Sequence, residues 1–308
     1  MKHAARRLSI LLLLLAIQAS AQSLVRFGVL GLFHPGELEL SPAGSQTLLI
    51  AGMPQPLILN GEPEQHSLLL RASGDHITVS GIRTGQIEAS ARDGLPAHFQ
   101  LKVPGKLQRV YEGTLRVTAS NGVLVAVVSM ERETAVATIV ASEMPLNAPL
   151  EALKAQAVVT RSFLSAGSRH EAFDFCDTTH CQYLRSPDEI SSRVRSAAKD
   201  TRGLVLIWHS GVVAAFYSSR CGGHTQSLQD AGIKSGNGYP YYGVACAWCR
   251  AHPLRGRASD NAIRSSGHRL GLCQYGAIGM AAAGADFRSI LAHYYPNTDF
   301  IRLAGRTN

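Results

Sequence analysis

The stretch that decides the fold reads Ala-Ser-Glu-Met-Pro-Leu-Asn-Ala-Pro-Leu-Glu-Ala-Leu-Lys-Ala-Gln-Ala-Val-Val-Thr-Arg and covers residues 141–161 of the 308-residue chain. Its first feature is a break in the backbone. Met144 stands before Pro145, and a residue in that position is biased away from helical backbone angles. A helical pattern that starts near Glu131 should therefore end here, which places the carboxylate of Glu143 at the break.

A second helix is predicted after the break. Asn147 is a candidate N-cap, and Pro149 suits the first turn, where the missing N–H is not needed. Apolar residues then recur at helical spacing; they are Leu150, Leu153, Ala157 and Leu164. Gln156 and Arg161 lie off this stripe. A carboxylate, an amide and a guanidinium close together would suit a site for a polar, uncharged or anionic substrate.

This stretch resembles a signature of the SpoIID/LytB family of bacterial cell-wall proteins, Glu-x-Pro followed by Pro-Leu-Glu-Ala-Leu-Lys-Ala-Gln-Ala-Val-x-x-Arg. Four further motifs agree with the family; they are Phe173-Asp-Phe-Cys-Asp-Thr-Thr-His-Cys-Gln182, Tyr217-Ser-Ser-Arg-Cys-Gly-Gly-His-Thr225, Gly267-His-Arg-Leu-Gly-Leu-Cys-Gln-Tyr-Gly276 and Ile290-Leu-Ala-His-Tyr-Tyr-Pro-Asn-Thr298. The resemblance covers about residues 109–300. It implies a SpoIID-like catalytic domain of mixed α+β class.

Glu143 matches the catalytic glutamate of SpoIID-type lytic transglycosylases, which cut glycan strands between N-acetylmuramic acid and N-acetylglucosamine. The resemblance implies strands stripped of stem peptides as substrate. Because the muramic C6 hydroxyl attacks its own C1, one glutamate can act as acid and then as base, whereas ordinary glycosidases use two carboxylates. The negative end of the preceding helix dipole would raise the pKa of Glu143. The alternative is a surface glutamate that merely ends a helix.

Further polar residues in or near these motifs are expected to line a cleft, because amides, hydroxyls and aromatic faces usually hold sugars. They are Gln156, Arg161, Gln182, Tyr217, Ser219, His224, His268, Gln274 and Tyr275. Arg161 could pair with the lactyl carboxylate of muramic acid, or instead with a buried acid. For each of the others, a structural hydrogen bond is an equal alternative.

Six cysteines, all in the C-terminal half, raise the choice between disulfides and metal in an exported chain. His170, Cys176, His180 and Cys181 lie at short spacing and are suitable zinc ligands. The resemblance supports zinc, since some family members bind it in a similar stretch, although the spacing of His170 differs slightly. A Cys176–Cys181 disulfide is the alternative, and a structural zinc is favoured over a catalytic one.

The other four cysteines are Cys221, Cys246, Cys249 and Cys273. Disulfides are the favoured assignment for them, and a second zinc site is the alternative. Redox chemistry at Cys246-Ala-Trp-Cys249 is not supported, because no thioredoxin-like strand and helix surround it. Cys273 departs from the family pattern, which usually has a small residue at that position.

The first 21 residues are expected to be a cleaved signal peptide. Lys2, Arg6 and Arg7 precede an apolar run at residues 8–17, and Ala19-Ser20-Ala21 is a small-x-small cleavage site. The expected location is the periplasm, cell wall or medium, with no stable membrane span after cleavage; an uncleaved anchor is the alternative. The formal net charge of +8 falls to about +5 after cleavage, because the leader carries three basic residues and no acidic ones; this mild balance suits an anionic envelope polymer or simple solubility. No basic run with interleaved aromatics predicts a nucleic-acid partner.

Two parts are expected after the signal peptide. Residues 22–130 are predicted to form a β-rich N-terminal module and residues 131–308 a SpoIID/LytB-like α+β domain. Asn121-Gly122 predicts a tight hairpin turn. Residues 186–199 predict a helix, and residues 212–217 predict a strand.

The predicted function is an exported lytic transglycosylase that acts on peptidoglycan glycan strands, with Glu143 as its single acid and base. One alternative is a non-enzymatic wall-binding protein that enhances a cell-wall amidase, as LytB-type relatives are described. Another is a zinc-dependent wall hydrolase in which the Cys/His cluster performs the chemistry. No organic cofactor is expected.

Overall fold

Strands fill the N-terminal part of the chain. The computed structural model describes residues 24–60, 66–93, 95–233, 238–251 and 268–303, so the expected signal peptide lies outside the described residues. The strands that precede residue 132 are β1 (Leu24–Val29), β2 (Glu37–Pro42), β3 (Leu48–Ala51), β4 (Leu57–Leu59), β5 (Leu68–Ser73), β6 (His76–Val79), β7 (Ile82–Thr84), β8 (Gln86–Ala91), β9 (Ala97–Val103), β10 (Leu107–Ser120) and β11 (Val123–Glu131).

These strands and β12 (Phe175–Cys176) form a sheet of 12 strands within the described part of the chain. Alternation of apolar and polar residues explains it, because every second residue of β9 and of β11 is buried. The long strand β10 pairs with β9 through residues 107–113 and with β8 through residues 115–118. Gly113 marks the change of partner at φ 151°, where a Cβ would clash with the Ser129 carbonyl.

The hairpin turn predicted at Asn121 and Gly122 is confirmed. Both residues have positive φ, 51° and 78°, and Ser120 pairs with Val123 across the turn. The hairpin joins β10 to β11, and β11 pairs with β1. β1 also pairs in parallel with β12, so a segment of the C-terminal half adds a strand to the N-terminal sheet.

Helices and short strands make up the rest of the chain. The helices are α1 (Arg132–Glu143), α2 (Leu150–Ser165), α3 (Ser192–Asp200), α4 (Ala247–Ala251), α5 (Gln274–Ala282) and α6 (Phe287–Tyr294), and the strands are β13 (Leu204–Trp208), β14 (Gly211–Val212), β15 (Tyr217–Ser218), β16 (Leu272–Cys273) and β17 (Asp299–Arg302). A large sheet combined with separate helices confirms the predicted α+β class. Among the described helices, none is long and apolar enough to cross a bilayer.

The helix predicted over residues 186–199 is wrong in its first turn. Pro187–Glu189 form a short 3-10 helix, and α3 starts only at Ser192. The reason is a local cap, since the side chain of Ser191 accepts a hydrogen bond from the N–H of Val194 at 3.3 Å.

The strand predicted over residues 212–217 is interrupted. β14 ends at Val212, and β15 starts at Tyr217. Between them the N–H of Ala215 donates to the carbonyl of Val213 at 2.8 Å, which closes a tight turn and breaks the extended backbone.

The second predicted helix, α2, is buried on all sides over residues 155–164. Pro149 rather than Asn147 occupies its N-cap position. The buried surface of α2 is therefore wider than the predicted apolar stripe, because buried residues occupy every side of the helix. Polar residues off the stripe, among them Gln156 and Arg161, are enclosed as well.

Arg161 is part of this interior and does not line a cleft. Its side chain is fully buried, and its guanidinium forms two hydrogen bonds of 2.8 Å to the carboxylate of Glu133. It also donates to the carbonyls of Leu204 at 3.1 Å and Ala198 at 3.3 Å. Of the two partners weighed from the sequence, the structure shows the buried acid, so the substrate-binding assignment of Arg161 is corrected.

Replacing Arg161 by methionine should destabilise the fold by about 3–5 kcal/mol, because it removes the guanidinium that pairs with the mostly buried carboxyl group of Glu133. The measurement is equilibrium unfolding in urea. Arg116→Met is the matched control, since Arg116 and Glu88 form an exposed pair and its loss should cost at most about 1 kcal/mol. A cost for Arg161→Met as small as that of the control would contradict this role.

Candidate active site and metal centres

Glu143 is the last residue of α1. Met144, which follows it, is extended with φ −115° and ψ 147°, as expected before Pro145. The carboxyl group is half-buried at this break. Its Oε1 atom accepts a hydrogen bond from the backbone N–H of Tyr183 at 3.4 Å, so the chain beyond the Cys/His stretch returns to the end of α1.

Four polar side chains gather around this carboxyl and are called the Glu143 network: Gln156, Gln182, Tyr217 and Gln274. Tyr217 and Gln274 lie within hydrogen-bonding reach of the Glu143 carboxyl. The Tyr217 hydroxyl donates to Gln182 Oε1 at 2.6 Å, and Gln274 Nε2 donates to Gln156 Oε1 at 3.4 Å. The four members are amides and a phenol, so Glu143 is the single acid among them.

Burial raises the pKa of Glu143 above its ordinary value, because it disfavours the charged form. The hydrogen bonds from Tyr183, Tyr217 and Gln274 act in the opposite direction, since they favour the carboxylate. The sequence predicted a raised pKa from the helix dipole, whereas the cause in the structure is burial. Burial likewise raises the pKa of Tyr217 well above its ordinary value, which keeps its hydroxyl protonated as a donor.

Two short parallel strands bring distant parts of the chain to this carboxyl. In the pairing of β15 with β16, Tyr217 lies opposite Leu272 and Ser218 opposite Cys273. Gln274 follows directly at the start of α5 and therefore reaches the same place as Tyr217. The network thus depends on a pairing that joins two motifs far apart in the sequence.

The Cys–His centre consists of His170, Cys176, His180 and Cys181, whose ligand atoms lie within 4.8 Å of one another. The Sγ atom of Cys181 is 3.3 Å from Nε2 of His170 and 3.4 Å from Nδ1 of His180. The Sγ atom of Cys176 is 3.7 Å from Nδ1 of His180. Both cysteines are free thiols, so the alternative disulfide is not observed. Two thiols and two imidazoles at these distances could bind a metal ion.

The four-cysteine centre consists of Cys221, Cys246, Cys249 and Cys273, whose Sγ atoms also lie within 4.8 Å of one another. The disulfides favoured from the sequence are not observed. All four residues are free thiols, and the Sγ atoms of Cys249 and Cys273 are 3.4 Å apart, whereas a disulfide is about 2.05 Å long. Cysteine spacing alone could not reveal this convergence, because the four residues come from three separate stretches.

The other predicted cleft residues have local contacts. The carbonyl of Ser219 accepts from the N–H of Tyr275 at 3.1 Å. His224 Nδ1 lies 2.7 Å from the carbonyl of Thr225. His268 Nδ1 accepts from a neighbouring backbone N–H at 3.0 Å. These contacts fix loops, and a role of Ser219, His224, His268 and Tyr275 in binding substrate stays a prediction.

A groove of about 370 Å³ lies next to the end of α1; Glu143 is not among its lining residues, and the sequence did not predict the groove. Its lining includes Ser142 and Tyr183, the neighbours of Glu143 in the chain and in space. The remaining lining residues are Gln100, Gln108, Arg109, Val110, Leu184, Arg185, Ser186 and Glu189. The first four of these belong to β9 and β10, so the N-terminal module forms one wall of the groove. No motif in those strands indicates this role.

Residues 120–208 match the family model SpoIID, described as Stage II sporulation protein. The resemblance to the SpoIID family is confirmed for this segment. It contains α1, α2 and the Cys–His centre, and it ends before Tyr217 and the four-cysteine centre. The match supports a protein of sporulation or cell-wall metabolism.

A relative is found in Brachyspira hyodysenteriae (strain ATCC 49526 / WA1). This protein, described as uncharacterized, is 26% identical in an alignment of 268 residues, and the match covers 62% of the present chain and 72% of the relative. Its description names no activity, so the chemistry has to be inferred from the site.

Replacing Gln274 by methionine should raise the pKa of Glu143 further, because it removes a hydrogen bond that favours the carboxylate. The measurement is the pH titration of the Glu143 carboxyl carbon by NMR in ¹³C-labelled protein, assigned by its loss in Glu143→Gln. The wild-type midpoint should lie above that of an ordinary glutamate, which is about 4.3. Gln229→Met, at an exposed position, should leave the midpoint unchanged. A lower midpoint in Gln274→Met would contradict the assigned contact.

Proposed function

We propose that this protein is an exported lytic transglycosylase that cleaves peptidoglycan glycan strands between N-acetylmuramic acid and N-acetylglucosamine. One observation carries the proposal: Glu143 is a half-buried carboxyl with a raised pKa at the break after α1, next to Tyr217, Gln274 and the backbone N–H of Tyr183. Hydrolysis by a pair of carboxylates would need a second acid about 5–9.5 Å away, whereas a lytic transglycosylase needs only a single carboxyl group.

In the proposed reaction Glu143 starts protonated and gives its proton to the glycosidic oxygen, which leaves with its sugar. The muramic C6 hydroxyl attacks C1 and forms the new C–O bond. The carboxylate of Glu143 then takes the proton of that hydroxyl, which restores the acid. The product end is a 1,6-anhydro sugar, and no water is consumed.

The raised pKa supports the first step, since it keeps a larger fraction of Glu143 protonated at mildly acidic to neutral pH. The Glu143 network supports the second step. Gln274 and the backbone N–H of Tyr183 donate toward the carboxylate once it forms and hold it in one orientation. Gln182 and Gln156 in turn hold Tyr217 and Gln274, so they are positioning residues.

The groove beside Glu143 suits a sugar strand. Two amides, Gln100 and Gln108, and the guanidinium groups of Arg109 and Arg185 line it. Amides match the hydroxyl and acetamido groups of the glycan. A guanidinium could pair with the lactyl carboxylate of a muramic residue freed of its peptide. Arg109 or Arg185 would then bind the lactyl carboxylate, a role that the sequence had suggested for Arg161, which is buried.

A zinc ion in the Cys–His centre fits the proposal. His170, Cys176, His180 and Cys181 would hold it with two sulfurs and two nitrogens, a donor set suited to structural zinc. Four protein ligands would leave no open position for water, so an ion bound there would have a structural role. Cys181 directly precedes Gln182 and Tyr183, and the centre would therefore fix the loop that contacts Glu143.

The test is mass spectrometry of the products from purified, peptide-free glycan strands. Wild-type protein should give ends of 1,6-anhydromuramic acid, and Glu143→Gln should lower the rate by about 10²–10⁴-fold. Glu131→Gln is the matched control, because Glu131 lies at the other end of α1 and pairs with Arg202 at the surface. It should keep the wild-type rate.

Other products would refute the proposal. Reducing ends would mean hydrolysis and would favour the zinc-dependent wall hydrolase. Strand binding without cleavage in either protein, together with faster turnover of a cell-wall amidase, would favour the enhancer. Equal rates for Glu143→Gln and wild type would exclude Glu143 as the acid.

A further inference from the structure

The four-cysteine centre lies in the interior, and its cysteines are outside the segment of sequence that matches the family model. Cys221 follows β15, Cys246 and Cys249 belong to the region of α4, and Cys273 ends β16. Their exposed fractions are 0%, 1%, 4% and 0%. Four free thiols from three chain segments therefore share one buried pocket.

The distances between these sulfurs match those of a tetrahedral ion site. With a zinc–sulfur bond of about 2.3 Å, the sulfurs of a regular tetrahedron are about 3.8 Å apart. Here all four Sγ atoms lie within 4.8 Å of one another, and those of Cys249 and Cys273 are 3.4 Å apart. Two disulfides would need sulfurs in two close pairs, with no reason for both pairs to meet at one point.

Hydrogen-bond donors surround the sulfurs. The backbone N–H of Gly276 donates to Cys273 Sγ at 3.3 Å, and the Tyr294 hydroxyl lies 3.3 Å from Cys246 Sγ. Backbone hydrogen bonds also link Gly223 to the thiol of Cys221 and Cys249 to that of Cys246. Four thiolates around a divalent ion carry a net charge of −2, and N–H and O–H donors of this kind stabilise buried charge.

Gly276 makes this close packing possible. A Cβ at this position would lie 2.6 Å from Cys246 Sγ and would clash with the Tyr294 hydroxyl. The start of α5 thus approaches the sulfurs more closely than a residue with a side chain would allow. The pocket is shaped around the four sulfurs.

We propose that Cys221, Cys246, Cys249 and Cys273 bind a structural zinc ion. The site has four sulfur ligands and no open position, so it is a site of structure and not of catalysis. A bound ion would also hold part of the active site in place. Cys273 directly precedes Gln274, and Ser218 beside Tyr217 pairs with Cys273, so the ion would fix the pairing of β15 with β16 that places both donors at Glu143.

The test starts with the zinc content of purified protein by inductively coupled plasma mass spectrometry. The variant Cys176→Ser/Cys181→Ser lacks the sulfurs of the Cys–His centre and should keep about one zinc ion per chain. Adding Cys249→Ser should remove that ion. Cobalt in place of zinc in the double variant should give the thiolate-to-cobalt absorption of a sulfur-rich tetrahedral site, which an oxygen or nitrogen site lacks.

A second measurement needs no variant and therefore does not depend on the folding of altered chains. Wild-type protein is treated with N-ethylmaleimide in the absence of reductant, once in its native state and once after it has been denatured in the presence of a chelator. The labelled peptides are then identified by mass spectrometry. The four cysteines should be protected at first and fully labelled afterwards. Cysteines that stay unlabelled after denaturation would be in disulfides, which would overturn the proposal. Cysteines that are fully labelled after denaturation, in a protein that contains no metal or contains iron instead, would overturn the zinc assignment.

Discussion

The burial of one carboxyl group, that of Glu143, is the constraint on which the rest of this site depends. A carboxylate removed from water is unstable unless it is neutral or hydrogen-bonded. Three separate segments of the chain meet this requirement, and they supply a backbone N–H, a phenol and an amide. Burial raises the pKa of Glu143, and the donors limit the rise. The group can therefore exist in both protonation states, which acid and base catalysis by a single residue requires.

Each of the loops that supply these donors adjoins a cluster of cysteines. Cys181 of the Cys–His centre precedes Gln182 and Tyr183, and Cys273 of the four-cysteine centre precedes Gln274. Glu143 itself is fixed by α1, which α2 holds through the buried pair of Arg161 with Glu133. Loops are usually the mobile parts of a site. Here the ion pair restrains α1, and metal ions bound in the two centres would restrain the loops that have to stay aligned.

The sequence predicted the features that depend on local chemistry. Pro145 ends α1 at Glu143 because of a steric effect on the residue before it. Asn121 and Gly122 form the turn that their backbone preferences favour. Features that depend on distant residues were predicted less well. Whether Arg161 meets a substrate or a buried acid depends on what packs against α2, and a sequence pattern does not contain that information.

The same limit applies to the cysteines and to the groove. Four thiols that converge in space and four cysteines in disulfides can have the same spacing along the chain, so spacing could not show that the favoured disulfides are not observed here. The groove beside Glu143 combines β9 and β10 with the stretch around Arg185, and pairing of distant segments creates it. The cluster at His170, Cys176, His180 and Cys181 was predictable because its residues are close in sequence.

The central claim, that Glu143 cleaves the glycan without water, is tested most directly by running the reaction in H₂¹⁸O and weighing the new product ends. The attacking oxygen belongs to the muramic C6 hydroxyl in the proposed reaction. The new ends should therefore be 1,6-anhydro sugars that contain no ¹⁸O. Incorporation of ¹⁸O at C1 of the new ends would show that water is the nucleophile, and it would contradict the mechanism.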